Sequence, residues 1–446
     1  MIPLSSSGQL KRQIGIRTAT ALVVGEVIAV GIFLTPAQMA KALGSPFWLL
    51  VVWVSMGAMA ACGALCYGEL AARYPEAGGG YVYLREAYGR PVAFLYGWMA
   101  LLVMDPGLTA ALALGMAGYA GFIFGLSSIA TKALAIITIL SLAAINIRGL
   151  KLGAALLRWI TILKLSLLLF LLLWGFGFQL GHWSNFSPFI AQRAHSAPLM
   201  EALAVGLVAA FFSFGGWWDV TKVAGEVRDP AHTLPRALLY GVLIVTLVYI
   251  MTSAVFVYLV PLETVSGGET FAAQAGIALF GKAGGRVFST IVIITVFGSL
   301  AAIIISAPRV YFAMARDGLF IPAAARLHVR FGTPARAIAL QALLASLLVV
   351  LGAFNQIISY FIFVVVIFIA LTVAALFVLR RRPDGEARRT PGYPLTPIVF
   401  LVLIAGMLFM LASNNPWQSS LGVTVVLLGI PVYYLLFRGD SAKEKR

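Results

Sequence analysis

Long apolar runs separated by short polar connections restrict this chain more than any other feature. Segments near residues 16–40, 47–72, 91–122, 130–146, 156–177, 199–226, 236–260, 284–314, 334–354, 357–379, 394–413 and 418–437 each suit a membrane-spanning helix, which needs about 20 mostly apolar residues. In water the chain could not cover itself. Only 11% of its 446 residues are charged and 61% are apolar or aromatic, whereas a soluble domain carries about 25% charge. A cytosolic enzyme, a secreted disulfide scaffold and a disordered chain are thereby excluded. The expected fold class is an all-α polytopic membrane protein with 12 transmembrane helices. The first run is too long for a signal peptide, and no small-residue cleavage pattern follows it.

The net charge of +16 would suggest a nucleic-acid surface in a soluble protein. Here the charges sort by loop. An even number of spans puts both termini on one side, and 25 of the 32 Lys and Arg residues fall on that side, with five opposite. This asymmetry places both termini in the cytoplasm of a multi-pass cell-membrane protein and leaves no nucleic-acid partner to infer. Two basic connections carry further expectations: 316–336 reads as a short interfacial helix, and 380–389 as a solvated turn. Lys164 and Lys222 fall inside spans.

Two spans invite breaks. The first carries Ala29-Val30-Gly31-Ile32-Phe33 with Pro36 beyond, and the sixth carries Ser213-Phe214-Gly215-Gly216. Glycines in spanning helices serve close packing, or they interrupt the helix to line a cavity. The two stretches open successive groups of five spans with opposite orientation, and interruptions at matching positions of inverted halves point to a substrate site between them.

The residues around these breaks resemble amino-acid permeases of the amino acid–polyamine–organocation superfamily, closest to the prokaryotic L-type branch. GEVIAVGIFLTP (25–36) is similar to the family's first-helix motif, G-x-x-x-G-S/T-G-I-F-x-x-P. LCYGELAARYPEAGGGYVYLREAYG (65–89), FFSFGGWWDVTKVAGEVRDPAHTLPRAL (211–238) and PRVYFAMARDGLFIP (308–322) resemble three further patches in the family's order. The resemblance implies a LeuT-type 5+5 inverted repeat with helices 1 and 6 broken. Residues 1–15 would form the cytoplasmic N-terminus, 16–177 and 199–379 the two halves, 394–437 two outer spans, and 438–446 the cytoplasmic tail. It also implies transport of a free, neutral L-amino acid by alternating access.

An amino acid is a zwitterion, and helix ends can satisfy both of its charges. The family pattern places the carboxylate on the backbone N–H groups of Val30, Gly31 and Ile32. It places the ammonium on carbonyls of Val27, Ile28, Phe212, Ser213 and Gly215. Ala29 and Phe214 complete the two breaks, Phe212 takes the place of an aromatic gate, and Gly216 and Trp217 border the side-chain pocket. Two departures stand out. The family's small pair is Ala29-Val30, and Glu26 stands where a neutral Asn is common.

Ionisable groups within spans are costly, so each is a functional-site hypothesis. Lys164 lies about 9 Å beyond Arg158 along helix 5, at ~1.5 Å per residue. It either snorkels or, by the resemblance, puts a fixed positive charge where sodium-coupled relatives bind a cation, which implies sodium-independent transport. Glu26 and Asp105 either carry a coupling proton or pair with Lys164. Asp219, Lys222 and Glu226, at i, i+3 and i+7, lie on adjoining helix turns and read as a gating network. Glu26, Asp105 and Asp219 against Lys164 and Lys222 leave one excess negative charge, which keeps proton symport and a cationic substrate open beside exchange.

Enzyme motifs are missing: there is no H-E-x-x-H and no G-x-S-x-G, and His182, His195, His232 and His328 all fall in loops. GIALFGKA (276–283) approaches a phosphate-binding loop, but Ala283 replaces its hydroxyl residue. No catalytic residue, metal site or cofactor is expected. Cys62 and Cys66 sit within helix 2, and neighbouring turns of one helix give poor disulfide geometry. No disulfide-linked partner chain is expected either, which leaves the bilayer and a small amino-acid substrate as partners.

Overall fold

The computed structural model describes residues 10–437 other than 195, 265–270, 352–353, 383–388 and 415. His195, most of the N-terminal segment 1–15, part of the 380–389 turn and the tail 438–446 therefore lie outside the described residues. The described chain is helical. In order come α1 (Ile16–Val27), α2 (Gly31–Leu43), α3 (Pro46–Arg73), α4 (Gly80–Tyr88), α5 (Arg90–Met99) and α6 (Asp105–Phe124). Then follow α7 (Ser128–Arg148), α8 (Leu150–Gly177), α9 (Leu199–Phe214), α10 (Pro230–Leu259), α11 (Phe271–Phe280) and α12 (Gly284–Ser306). The remainder are α13 (Pro308–Arg316), α14 (Ala335–Leu351), α15 (Phe354–Leu379), α16 (Leu395–Asn414), α17 (Pro416–Leu427) and α18 (Gly429–Leu436). Among the described residues the sole strand-like feature is a parallel bridge between Ile14 and Val227.

Among the described residues, ten helical segments are long and apolar enough to cross a membrane, and α1 with α2, bent by 47°, makes an eleventh. The shortfall from the expected twelve falls at α14. It is apolar but 17 residues long, roughly 25 Å at ~1.5 Å per residue, and its end abuts undescribed residues.

Elements begin where local chemistry satisfies their first N–H groups. Ser45 caps α3 through Trp48 N, and Pro46 follows at the first helical position, where its missing N–H costs nothing. Ser127 caps α7 through Ala130 N. The helices then differ in what covers them. Over the apolar stretch running through α12, 78% of residues are buried inside the protein, against 28% for α8. The centre is thus built on α12 with α1, α6 and α10, and α8 turns most of its surface outward.

One span has an extra residue in a turn. Ala100–Met104 forms a π-helical turn between α5 and α6, closed by Asp105 N–H to Ala100 O. Pro106 has no N–H for the carbonyl four residues back, and the widened turn occupies that gap.

Three connections differ from expectation. The segment 316–336 holds only a 3₁₀ turn, Pro322–Ala325, because Pro322 and Pro334 interrupt a longer helix. Helix α8 begins at Leu150, directly after Gly149 at φ 150°, six residues before the expected start at 156. Arg380 is not left in a solvated turn. It folds back to pair with Glu69, whose carboxylate also accepts from Thr390 N–H at 2.6 Å, and it stacks 3.7 Å over the Tyr393 ring.

Candidate functional site

Both interruptions form, and they face one another. Helix α1 ends at Val27, Ile28 leaves helical geometry at φ −74°, ψ 87°, and α2 begins at Gly31 with Val30 as its N-cap. Gly31 and Ile32 therefore open α2 with N–H groups that have no intrahelical acceptor. The break falls at 28–30, slightly earlier than the glycine suggested. Helix α9 ends at Phe214, Gly215 is extended, and Gly216 takes φ 101° before the 3₁₀ segment Trp217–Glu226. Only glycine adopts that conformation without strain. A side chain at Gly31 would lie 2.8 Å from Ser213 Oγ, so the two breaks are in contact.

A cavity of about 140 Å³ lies between them. Of the expected site residues, Val27, Ala29, Val30, Gly31, Phe212, Ser213, Gly215 and Gly216 line it, together with Glu26 and Asp219. Ile28 and Ile32 are buried behind it. Phe214 packs on Trp53 and Tyr249, and Trp217 packs on Tyr67 and Phe400. Trp218, not Trp217, lines the cavity, because the 3₁₀ segment turns each residue further than an α-helix does.

Three of the five carbonyls assigned to an ammonium can be satisfied at once by groups already present. Tyr249 Oη lies 2.9 Å from Val27 O and 2.8 Å from Ser213 O, and its one hydrogen serves one of them at a time. Gly215 N–H bonds Phe212 O at 3.3 Å. Ile28 O accepts from Lys164 Nζ at 2.7 Å.

Lys164 is wholly buried and does not snorkel. It reaches from α8 to α1, donating to Gly25 O at 2.8 Å as well as to Ile28 O, and it meets Ser299 Oγ of α12 at 3.4 Å. Ser299 Oγ lies 2.7 and 3.0 Å from the same two carbonyls, and its one hydrogen serves one of them at a time. Neither Glu26 nor Asp105 forms an ion pair with Lys164. Asp105 is instead 3.1 Å from Lys222 Nζ and takes a 3.2 Å hydrogen bond from Tyr311 Oη.

The chain's relatedness bears on this arrangement. The family described as "Amino acid permease" matches residues 14–437. The chain belongs to that family. Among curated relatives, it is 32% identical to the serine/threonine exchanger SteT of Bacillus subtilis, over 95% of this chain and 97% of that one. It is 30% identical to large neutral amino acids transporter small subunit 2 of Mus musculus, over 96% of this chain and 81% of that one. With Asc-type amino acid transporter 1 of Homo sapiens the identity is 29%, covering 96% and 82%. The protein is an amino acid transporter with membrane-spanning helices.

In the permease the expected trio Asp219, Lys222 and Glu226 divides in two. Lys222 Nζ is 3.0 Å from Asp219 and shares itself with Asp105. Glu226 turns away and is held by Arg309 of α13 through two bonds of 2.9 and 3.0 Å. The cause is that residues 217–226 wind as 3₁₀ turns on either side of a kink at Val223 (φ −96°, ψ 15°), which moves the i+7 position off the face that α-helical spacing predicts. Sequence reasoning placed Arg309 among loop charges, yet it is 1% exposed; its place in PRVYFAMAR directly after an apolar run was the available signal. Ser299, Ser306, Tyr249 and Tyr311 were also missed, since single hydroxyls in spans carry no spacing signal.

Around Glu226 the N-terminal segment closes over the broken helix. Gln13 and Ile14 N–H groups both bond Glu226 O, at 2.7 and 2.9 Å, and Arg228 N–H bonds Ile14 O at 2.8 Å. Gly78 N–H, just before α4, bonds Lys222 O at 2.9 Å.

Proposed function

We propose that this permease is a secondary active transporter that exchanges free L-amino acids across the cell membrane by alternating access, without sodium. The observation that carries the reading is the pair of broken helices facing each other across one cavity. A substrate there meets interrupted backbone from both halves, including the free N–H groups at the start of α2. In this reading residues 16–177 and 199–379 are two inverted halves of five spans, α14 being the twelfth span, and 394–437 lie outside the core. Both termini face the cytoplasm, as the basic loops favour.

The substrate carboxylate is held by the N–H groups at the start of α2, where the helix dipole favours negative charge. Phe212, part-exposed at the cavity, serves as its aromatic lid. Lys164 does the work of a coupling cation. Its ammonium ties α1 to α8 and α12 in every state, which supports sodium independence. Asp219–Lys222 and Glu226–Arg309, with the N-terminal segment laid across them, form the closed cytoplasmic side. Cys62 and Cys66 both lie in α3, which favours operation without a disulfide-linked partner chain.

The test is uptake by the purified full chain in liposomes, with a panel of labelled amino acids. Uptake should need internal amino acid and should be unchanged when potassium replaces sodium. Concentrative uptake driven by a pH gradient into empty liposomes would favour proton symport instead, a reading that the excess acid near the cavity keeps in play. A requirement for sodium would remove the role given to Lys164.

A further inference from the structure

The charged side chains that line the cavity are Glu26 and Asp219, both acids, and no lysine, arginine or histidine among the described residues joins them. Glu26 stands two residues before the break in α1, Asp219 follows the Gly215–Gly216 break, and Gly216 adjoins both: Asp219 N–H bonds Gly216 O at 3.0 Å, and a Cβ on Gly216 would lie 2.9 Å from Glu26 Cγ.

Neither acid is well partnered. Asp219 is 1% exposed, and neither of its carboxylate oxygens accepts a hydrogen bond. Its Oδ1 is 3.0 Å from Lys222 Nζ but outside hydrogen-bonding geometry. Glu26 has only Ser306 Oγ, at 3.5 Å from each oxygen. Nearby charges do not settle the balance. Lys222 supplies one positive charge to Asp105 and Asp219 together. Lys164 approaches α1 and spends its N–H groups on carbonyls and Ser299. Tyr96 and Tyr311 border the cluster without adding a cation.

Two buried carboxylates side by side need a proton or a cation between them. A neutral zwitterion brings no net charge, so it leaves the excess of acid over base in this cluster unchanged. We infer that Glu26 and Asp219 form the subsite for the side-chain ammonium of a basic amino acid, whose head group sits at the two breaks. The assignment rests on the transport reading above and names its substrate class. With the substrate's extra charge in place, the group Glu26, Asp105, Asp219, Lys164 and Lys222 balances.

The experiment uses the full chain in liposomes preloaded with unlabelled amino acids, and compares exchange of labelled L-lysine and L-ornithine with L-leucine and L-serine. Basic amino acids should exchange with at least tenfold higher kcat/KM. Glu26→Gln and Asp219→Asn should each lower the basic-to-neutral ratio at least tenfold. Should a variant fold poorly, the thermal shift of the wild-type protein in detergent decides, with L-lysine raising the melting temperature more than L-leucine. Preferred exchange of neutral substrates with external alkalinisation would make a proton the occupant and overturn the assignment. So would a Glu26→Gln protein that keeps the wild-type ratio. No exchange and no thermal shift with any amino acid would remove the transport reading, and this subsite with it.

Discussion

Two lysines lie fully inside this membrane protein, and the molecule treats them differently. Lys164 is met by dipoles: two backbone carbonyls of α1 and the hydroxyl of Ser299. Lys222 is met by charges, the carboxylates of Asp105 and Asp219. The first arrangement can lose its lysine without breaking an ion pair. The second cannot, because removing the cation strands the acids. The difference separates a tie between helices from a charge balance that the fold itself depends on.

The largest effect should follow Lys222→Met. It leaves Glu26, Asp105 and Asp219 without a cation among them, and breaking a buried ion pair costs about 3–5 kcal/mol. Melting monitored by size-exclusion after heating should fall sharply, and adding Asp105→Asn to the same protein should recover part of the loss. A single variant as stable as wild type would collapse the contrast between the lysines.

Lys164→Met should cost less in stability, about 1–3 kcal/mol, because no ion pair is broken and Ser299 still donates to Gly25 O or Ile28 O. Its exchange rate in liposomes should nonetheless drop at least tenfold, since α8 no longer holds α1. Equal losses of stability in the two methionine variants would show that both lysines act alike.

Gly216→Ala probes the wall that Glu26 leans on. A Cβ there would meet Glu26 Cγ at 2.9 Å, at a φ of 101°, and such strain costs about 1–3 kcal/mol. The added methyl displaces Glu26, so substrate KM should rise more than the melting temperature falls.

The smallest effect belongs to a charge in contact with water. Glu263 pairs with Arg193 and its side chain is 56% exposed. Partial burial opposes ionisation, but a backbone hydrogen bond and Arg193 outweigh it and hold the Glu263 carboxyl below the ordinary carboxylate range. A lowered folded value gives stability that is present above the ordinary range and lost as pH falls through the folded value. Glu263→Gln should therefore change the melting temperature slightly at neutral pH, within the ~0–1 kcal/mol of an exposed pair, and not at all in strong acid.

Much of this was legible in the sequence, for physical reasons. Spanning segments announce themselves because the bilayer demands apolar length, and Lys164 stood out because a charge there is expensive. The broken helices were visible as glycines at matching places. Partners across long sequence separations were not legible. Nothing in the spacing of Lys222 points to Asp105, 117 residues away, and α-helical periodicity put Glu226 on the wrong side of a segment that winds as a 3₁₀ helix. Trp218 displaced Trp217 from the cavity for the same reason.

The π-helical turn at Ala100–Met104 bears on chain length and descent. Such a turn holds one residue more than the α-helical turn it replaces. Deleting a single residue within it would restore regular winding at ~100° per residue, and because the widened turn takes up the extra residue within one turn, everything beyond would keep nearly the same facing relative to α5. Asp105 would still meet Lys222 and Tyr311, with one residue fewer before it. The turn thus lets this span differ by one residue in length between Arg90 and Asp105 without moving the buried acid off its partners.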